Sequence, residues 1–358
     1  MRVLFISGAK CHPSHGGSIE ESWANFQLVS KAKEEFFNTT LWQGVSDLGH
    51  DSNVIYRPID APLPDKFRLD ILKYSPDAII AFQPDYLNAS TIEFLRNSLP
   101  SVKILCYLCI DIIESFADIS KYDAVLACTP GYVNAANDKG YRAFLLYHTW
   151  EPSMAIKNRL QQESSSITAP ISFVGSIVLN NLYHLRRGRL VERLADTIKS
   201  SFLLHADICV PRFGPKFWIK RPKEAIVINR LAKRLQRVNK GCLRGYDYLN
   251  AIRNSFLTFN EPVDCSGNDI GNIRLFEASA LGTAQLVPQV ANLDDLFEAD
   301  TEILTYSSEE MLVNRVHDLL RKPEYLVAVG QKSQERWSRS HTVKRRMEQL
   351  LYILEHKV

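Results

Sequence analysis

Short, continuously apolar runs that alternate with longer helix-like stretches are what most restrict the fold of this chain. Asp77-Ala78-Ile79-Ile80-Ala81-Phe82 is one such run. A strand with no polar alternation is buried on both faces, the situation of a parallel sheet sandwiched between helix layers. Equivalent runs lie at Arg2–Ser7, Asn53–Tyr56, Lys103–Ile110, Ala124–Ala127 and Ala143–Tyr147, so the first part of the chain reads as one Rossmann-like layer. Beyond Trp150-Glu151-Pro152 the chain turns polar, and the pattern then resumes at Ile171–Ser176, Phe202–Ala206, Phe256–Asn260, Ala284–Pro288 and Glu302–Tyr306. A chain of 358 residues also exceeds the roughly 250–300 at which one core stops growing. We therefore expect an α/β protein of two Rossmann-like domains facing across a cleft. The expected boundaries are 1–150, a linker at 151–170, 171–340, and a C-terminal helix at 341–358. That last stretch sets Met347, Leu350, Leu351 and Leu354 on one helical face, which should dock on either domain.

Composition closes off several classes. With 46% hydrophobic and 23% charged residues the chain is neither disordered nor fibrous. The apolar stretch at Arg2–Ser7 is too short for a signal peptide, and no window reaches the roughly 18 apolar residues of a membrane span. These features predict a soluble cytoplasmic protein, peripheral at most at the inner face of a membrane. The seven cysteines are odd in number and mostly sit in apolar runs, as reduced core thiols do; this includes the Cys106/Cys109 pair. Gly8-Ala9-Lys10-Cys11-His12-Pro13 does not fit G-x-G-x-x-G, and a P-loop, a GxSxG elbow and D-x-D are all absent. No His, Cys and carboxylate cluster has metal-ligand spacing, so neither a metal nor a cofactor is expected.

The run Asn268 to Gly282 carries the chemistry. A glycine-containing turn (Gly267, Gly271) enters the helical pattern Ile273–Leu281, which Gly282 ends. The start of such a helix presents free N–H groups and the positive end of the helix dipole to a phosphate. Glu277 is the one acid in that otherwise apolar pattern, and a carboxylate there needs a partner that ribose hydroxyls would supply. An Arg274–Glu277 pair at i, i+3 spacing accounts equally well for the same residues.

The segment Asp269–Gly282, followed by the strand Ala284–Pro288 and Leu293-Asp294-Asp295-Leu296-Phe297, resembles the donor half of retaining GT-B glycosyltransferases. It is nearest the spore-maturation-type branch through Asn272-x-Arg274-x-x-Glu277, and more distantly similar to glycosyltransferase family 4. Family 4 members carry two glutamates separated by seven residues; here Glu277 matches the second, and Asp269, one methylene shorter, stands at the first. The resemblance implies that Glu277 binds the nucleotide ribose and that Arg274 neutralises diphosphate charge. It also implies that Asp269 and the backbone of Gly271, Asn272 and Ile273 lie near the sugar and phosphates. His15-Gly16-Gly17-Ser18 and the Leu48-Gly49-His50 turn resemble the family 4 amino-terminal pattern, with Gly16 and Gly17 near the ligand; a plain tight turn fits them too. Asp111 resembles the acid that relatives place at the cleft, although helix capping is an equal reading. Gly175-Ser176 resembles the phosphate-facing loop. Arg186, Arg187 and Arg189 downstream either reach phosphates or form a solvated basic face.

Between Pro211 and Arg244 stand eleven Lys and Arg residues against the single acid Glu224, in a chain of net charge +3. Arg212, Lys216, Lys220, Arg221 and Lys223 lead this segment, interleaved with Phe213, Phe217 and Trp218. Such a patch suits an anionic membrane surface or an anionic acceptor better than nucleic acid, and an unpartnered solvated face is the alternative. The expected function is transfer of a sugar from a nucleoside-diphosphate sugar to a carbohydrate or lipid-linked acceptor, in cell-surface polysaccharide or glycolipid synthesis. The rivals are a noncatalytic relative that binds an anionic polymer or membrane, and a nucleotide-sugar epimerase on the same fold.

Overall fold

The structure is a computed structural model and describes the chain outside residues 11–18, 20–22, 38–40, 109–118, 164–166, 168, 180–182 and 211–219, with the backbone alone at 33–37. Gly16, Gly17, Asp111, Arg212 and Lys216, all expected site residues, lie outside the described residues. The chain divides into two units, Met1–Lys157 with Thr342–Val358, and Asn158–His341.

The first unit contains β1 (Arg2–Ala9), α1 (Trp23–Phe37), α2 (Leu41–Asp47), β2 (Asp51–Pro58), α3 (Asp65–Tyr74), β3 (Ala78–Ala81), α4 (Ala89–Ser98), β4 (Lys103–Leu108), β5 (Ala124–Ala127), α5 (Pro130–Asp138) and β6 (Ala143–Leu145). After α6 (Met154–Gln162), the second unit runs β7 (Ala169–Val178), α7 (Leu185–Ile198), β8 (Phe202–Cys209), α8 (Pro222–Val238), α9 (Gly245–Arg253), β9 (Ser255–Phe259), α10 (Ile273–Ala280), β10 (Ala284–Pro288), β11 (Leu304–Tyr306), α11 (Glu309–Leu319) and α12 (Pro323–Ser340). The chain then returns to the first unit as α13 (Val343–His356).

Both sheets are parallel, in the orders β2-β1-β3-β4-β5-β6 and β11-β10-β9-β7-β8. Every residue of β3, β5 and β10 is buried, as in strands covered on both faces by helix layers. The expected α/β fold of two Rossmann-like domains is thus the fold observed. Three strands are shorter than their apolar runs: β3 stops at Ala81, β6 stops at Leu145, and β11 begins at Leu304; β4 is described as far as Leu108. In α13 the apolar face, Val343, Met347, Leu350, Leu351 and Leu354, joins the core of the first unit. Gly44 in α2 allows that approach, since a Cβ there would lie 2.4 Å from Val343 Cγ1.

Each outer strand has its free edge occupied by a side chain. Gln27 pairs with both the N–H and C=O of Tyr56 on β2, Asn137 with those of Ala143 on β6, and Asn239 with those of Ala206 on β8. Asp300 accepts from Thr305 N on β11. Side-chain groups thereby satisfy edge positions that would otherwise invite another strand.

In each sheet the strand order reverses at one place, between β1 and β3 in the first and between β7 and β9 in the second. Ligands of open α/β sheets bind beyond the carboxyl ends of the strands at such a reversal. In the second unit this places Gly175–Val178 and the Asn260-Glu261 pair at the expected position.

Candidate functional site

Gly175, near the end of β7, has φ +149°, and a Cβ built on it would lie 1.7 Å from Arg274 Nη2. Only a glycine leaves room for the Arg274 guanidinium against the strand backbone. Arg274 comes from the first turn of α10, is buried, and stacks its guanidinium 4.7 Å from the ring centre of Phe173 on β7. Its Nε and Nη1 are buried with no hydrogen-bond partner. A buried cationic donor without an acceptor costs more than a neutral one, so this arrangement favours an anion that supplies the missing oxygens.

Glu277 follows one turn later on the same helix and is buried. It accepts the Tyr248 hydroxyl on Oε2 at 2.7 Å. Burial pushes its pKa up, while Tyr248 and the nearby Arg274 pull it down. The simple Arg274–Glu277 ion pair does not form, because the guanidinium turns to Phe173 and the carboxylate to Tyr248.

Arg187 in α7 is buried and donates from Nε to the Glu261 carbonyl at 2.8 Å and from Nη1 to the Ser176 carbonyl at 3.0 Å. Burial and the neighbouring Arg274 cation pull it down to about 9. A cation that lowers a buried neighbouring guanidinium marks a place where positive charge exceeds its internal compensation. Beside them His184 accepts from Val178 N on Nδ1 at 2.9 Å. Burial, then Arg187 and Arg274, push its pKa down to about 3, so it is a neutral structural ring.

A second polar group lies past β9. The Glu261 carboxylate is buried, accepts the Tyr306 hydroxyl, and pairs with Arg186 Nε at 3.1 Å. Asp264 Oδ2 accepts from Arg186 N at 3.0 Å at the start of α7.

The turn into α10 is held from behind. Asn292 accepts from Ile270 N at 2.9 Å and donates to its carbonyl at 2.7 Å, and Ala291 N donates to the Asn268 carbonyl. This pins the backbone next to Gly271 and buries Asp269. Asn272 occupies the N-cap position without capping the helix through its side chain, and Ile273 is exposed.

The structure therefore gathers Gly175, Ser176, Asn272, Arg274 and Glu277 from the sequence reading, with Asp269 and Gly271 in the pinned turn. Of the three α7 arginines read from the sequence, Arg187 joins the group, Arg186 pairs with Glu261, and Arg189 is exposed. Tyr248, Glu261, His184 and Asn292 were not anticipated, because each lies in an unremarkable local sequence and only chain reversal brings it here. In the basic segment, Lys220, Arg221 and Lys223 are exposed at the start of α8. The buried face of that helix, Ala225, Ile228, Leu231, Ala232 and Leu235, packs into the second unit. Among the described residues no three His, Cys, Asp or Glu side chains cluster as metal ligands, and no helix is long and apolar enough to cross a membrane.

No curated protein matches the sequence. Among solved structures, sucrose-phosphate synthase from Thermosynechococcus elongatus is similar over 99% of this chain and 98% of its own, with 14% identity and a TM-score of 0.58. HepE of Anabaena, in complex with UDP-glucose, aligns over 99% of both chains at 14% identity and a TM-score of 0.57. A glycosyltransferase from Rickettsia africae aligns over 99% of this chain and 97% of its own at 10% identity and a TM-score of 0.55. Residues 186–352, which include Arg187, Glu261, Arg274 and Glu277, match a family model described as glycosyl transferase-like, and the chain as a whole has the GT-B fold.

Proposed function

We propose that the protein is a glycosyltransferase that moves a sugar from a nucleoside-diphosphate sugar to an acceptor hydroxyl, with the donor held in the second unit. The observation that carries this reading is Arg274, whose buried guanidinium keeps two N–H groups without a partner beside the carboxylate of Glu277. In the transfer, the bond from the anomeric carbon to the diphosphate oxygen breaks and a bond to the acceptor oxygen forms. The diphosphate leaves carrying extra negative charge. Arg274, with the Arg187 cation behind it and the start of α10, supplies positive charge that needs no rearrangement when that charge develops. Glu277 takes the ribose hydroxyls, Asp269 lies towards the sugar, and transfer needs no metal and keeps the anomeric configuration. Support comes from the glycosyl transferase-like family match and from the shared fold; the HepE structures hold UDP-glucose and UDP.

Uridine, guanosine and thymidine diphosphates, each at 100 times its dissociation constant, should stabilise the fold by about 2.7 kcal/mol where they bind. Stabilisation by none of the three would overturn the reading. Glu277→Ala should lose that shift while unfolding cooperatively; an unchanged shift would remove the ribose role.

We also read the outward face of α8 as a contact for an anionic membrane surface, because Ile226 and Val227 are exposed among Lys223, Arg230 and Arg237. Co-sedimentation with phosphatidylglycerol vesicles but not phosphatidylcholine vesicles is the expected result, and equal partition to both would refute it.

A further inference from the structure

One carbonyl orients a whole row of buried amides in the second unit. The Leu275 carbonyl of α10 can only accept, and Gln285 Nε2 donates to it at 2.8 Å and to Ser279 Oγ at 2.9 Å. Gln285 Oε1 is thereby an acceptor, so the atom of Asn260 that meets it at 3.3 Å is Nδ2. Asn260 Oδ1 in turn faces Asn272, whose Nδ2 donates to it at 2.8 Å. Rotating any one of these amides would set donor against donor or acceptor against acceptor, and Asn260, Gln285 and Ser279 are fully buried, where water cannot relieve the mismatch. What remains at the end of the row is Asn272 Oδ1, buried and without a partner.

We propose that this relay fixes Asn272 as a hydrogen-bond acceptor that reads a hydroxyl of the transferred sugar, making Asn272 a specificity residue and Asn260 and Gln285 its positioning residues. The inference rests on the donor-site reading above. A phosphate oxygen is itself an acceptor and is repelled by Asn272 Oδ1, whereas a sugar hydroxyl donates to it. Arg274, with Nε and Nη1 unpartnered, has the opposite demand and takes the phosphate. Asn272 stands at the start of α10 and Glu277 five residues on, about 7.5 Å along the axis at 1.5 Å per residue. A diphosphate between ribose and sugar bridges that separation, which assigns the ribose to Glu277 and the hexose to Asn272.

The test is calorimetric titration of the full chain with two probes: the nucleoside diphosphate, among uridine, guanosine and thymidine, that stabilises the wild type most, and its glucose conjugate. Asn272→Ala should weaken the conjugate about tenfold and the free diphosphate less than about twofold, the scale of one hydroxyl hydrogen bond. Gln285→Met, which removes the anchor of the row, should shift the same ratio in the same direction by a smaller factor. Equal weakening of both probes by Asn272→Ala, or of neither, overturns the relay proposal while leaving the donor site standing. Should Gln285→Met fail to fold, Asn272→Ala decides alone, its retained diphosphate binding showing that the site is intact. No diphosphate binding by the wild type overturns the donor-site reading and the relay proposal with it.

Discussion

Glu261, just past β9, and Glu277, in α10, are both buried and both have their pKa pushed up by burial, yet their surroundings differ in kind. Glu261 has the Tyr306 hydroxyl on one oxygen, Arg186 on the other, and the Arg187 cation close by. Glu277 has the Tyr248 hydroxyl on Oε2, and no residue of the described set donates to Oε1. A carboxylate whose partners all come from the protein is part of the framework. One left with an oxygen to spare, next to a cation with donors to spare, is disposed towards a ligand.

The largest test of that contrast is Glu261→Ala. It leaves the buried Tyr306 hydroxyl unpaired and takes from Arg187 part of its compensation, so it should cost about 3 kcal/mol in urea unfolding. Glu277→Ala also unpairs a hydroxyl, that of Tyr248, but breaks no ion pair, so it should cost less; equal losses would erase the distinction. Next come the phenols. Tyr306→Phe should destabilise the fold by about 1–2 kcal/mol and leave diphosphate affinity alone, whereas Tyr248→Phe should weaken diphosphate binding by a larger factor than it shifts unfolding.

The smallest effect is in pH. Burial raises the Glu277 pKa above its unfolded value, so the ionised form carries a penalty in the folded state above that raised pKa, and the penalty fades as pH falls through it. Glu277→Gln carries no such penalty. Its stability advantage over the wild type should therefore be present near pH 8 and shrink towards the ordinary glutamate range. A gap that widens on acidification would show that the carboxylate is better satisfied than its surroundings indicate.

Much of this was legible in the chain itself. The all-buried strands β3 and β5 announce a parallel sheet because burial on both faces writes an unbroken apolar run. Gly175 and Gly282 bracket residues that matter, and their positive φ is a local constraint; the close approach of Arg274 to Gly175 is not. Tyr248, Asn260 and Gln285 were not legible. A tyrosine in α9, an asparagine after β9 and a glutamine in β10 carry no local signal, and their roles arise from partners 12 to 29 residues away in sequence. The same holds for Arg187, which sits in a run of arginines whose members look alike until one of them faces inwards.

By itself the sequence determined the alternation of strands and helices, the amphipathic α13, and the one helix in which an arginine and a glutamate share an apolar face. These follow from backbone sterics and the period of side-chain burial, which act over a few residues. Only the tertiary structure decided that α13 belongs to the first unit and that Arg274 turns to Phe173 while Glu277 turns to Tyr248. It alone set the amides of Gln285, Asn260 and Asn272 in one direction. The reason is physical: the direction of a hydrogen bond and the compensation of a buried charge depend on what lies opposite in space, and in this chain the opposite groups come from different helices, strands and loops.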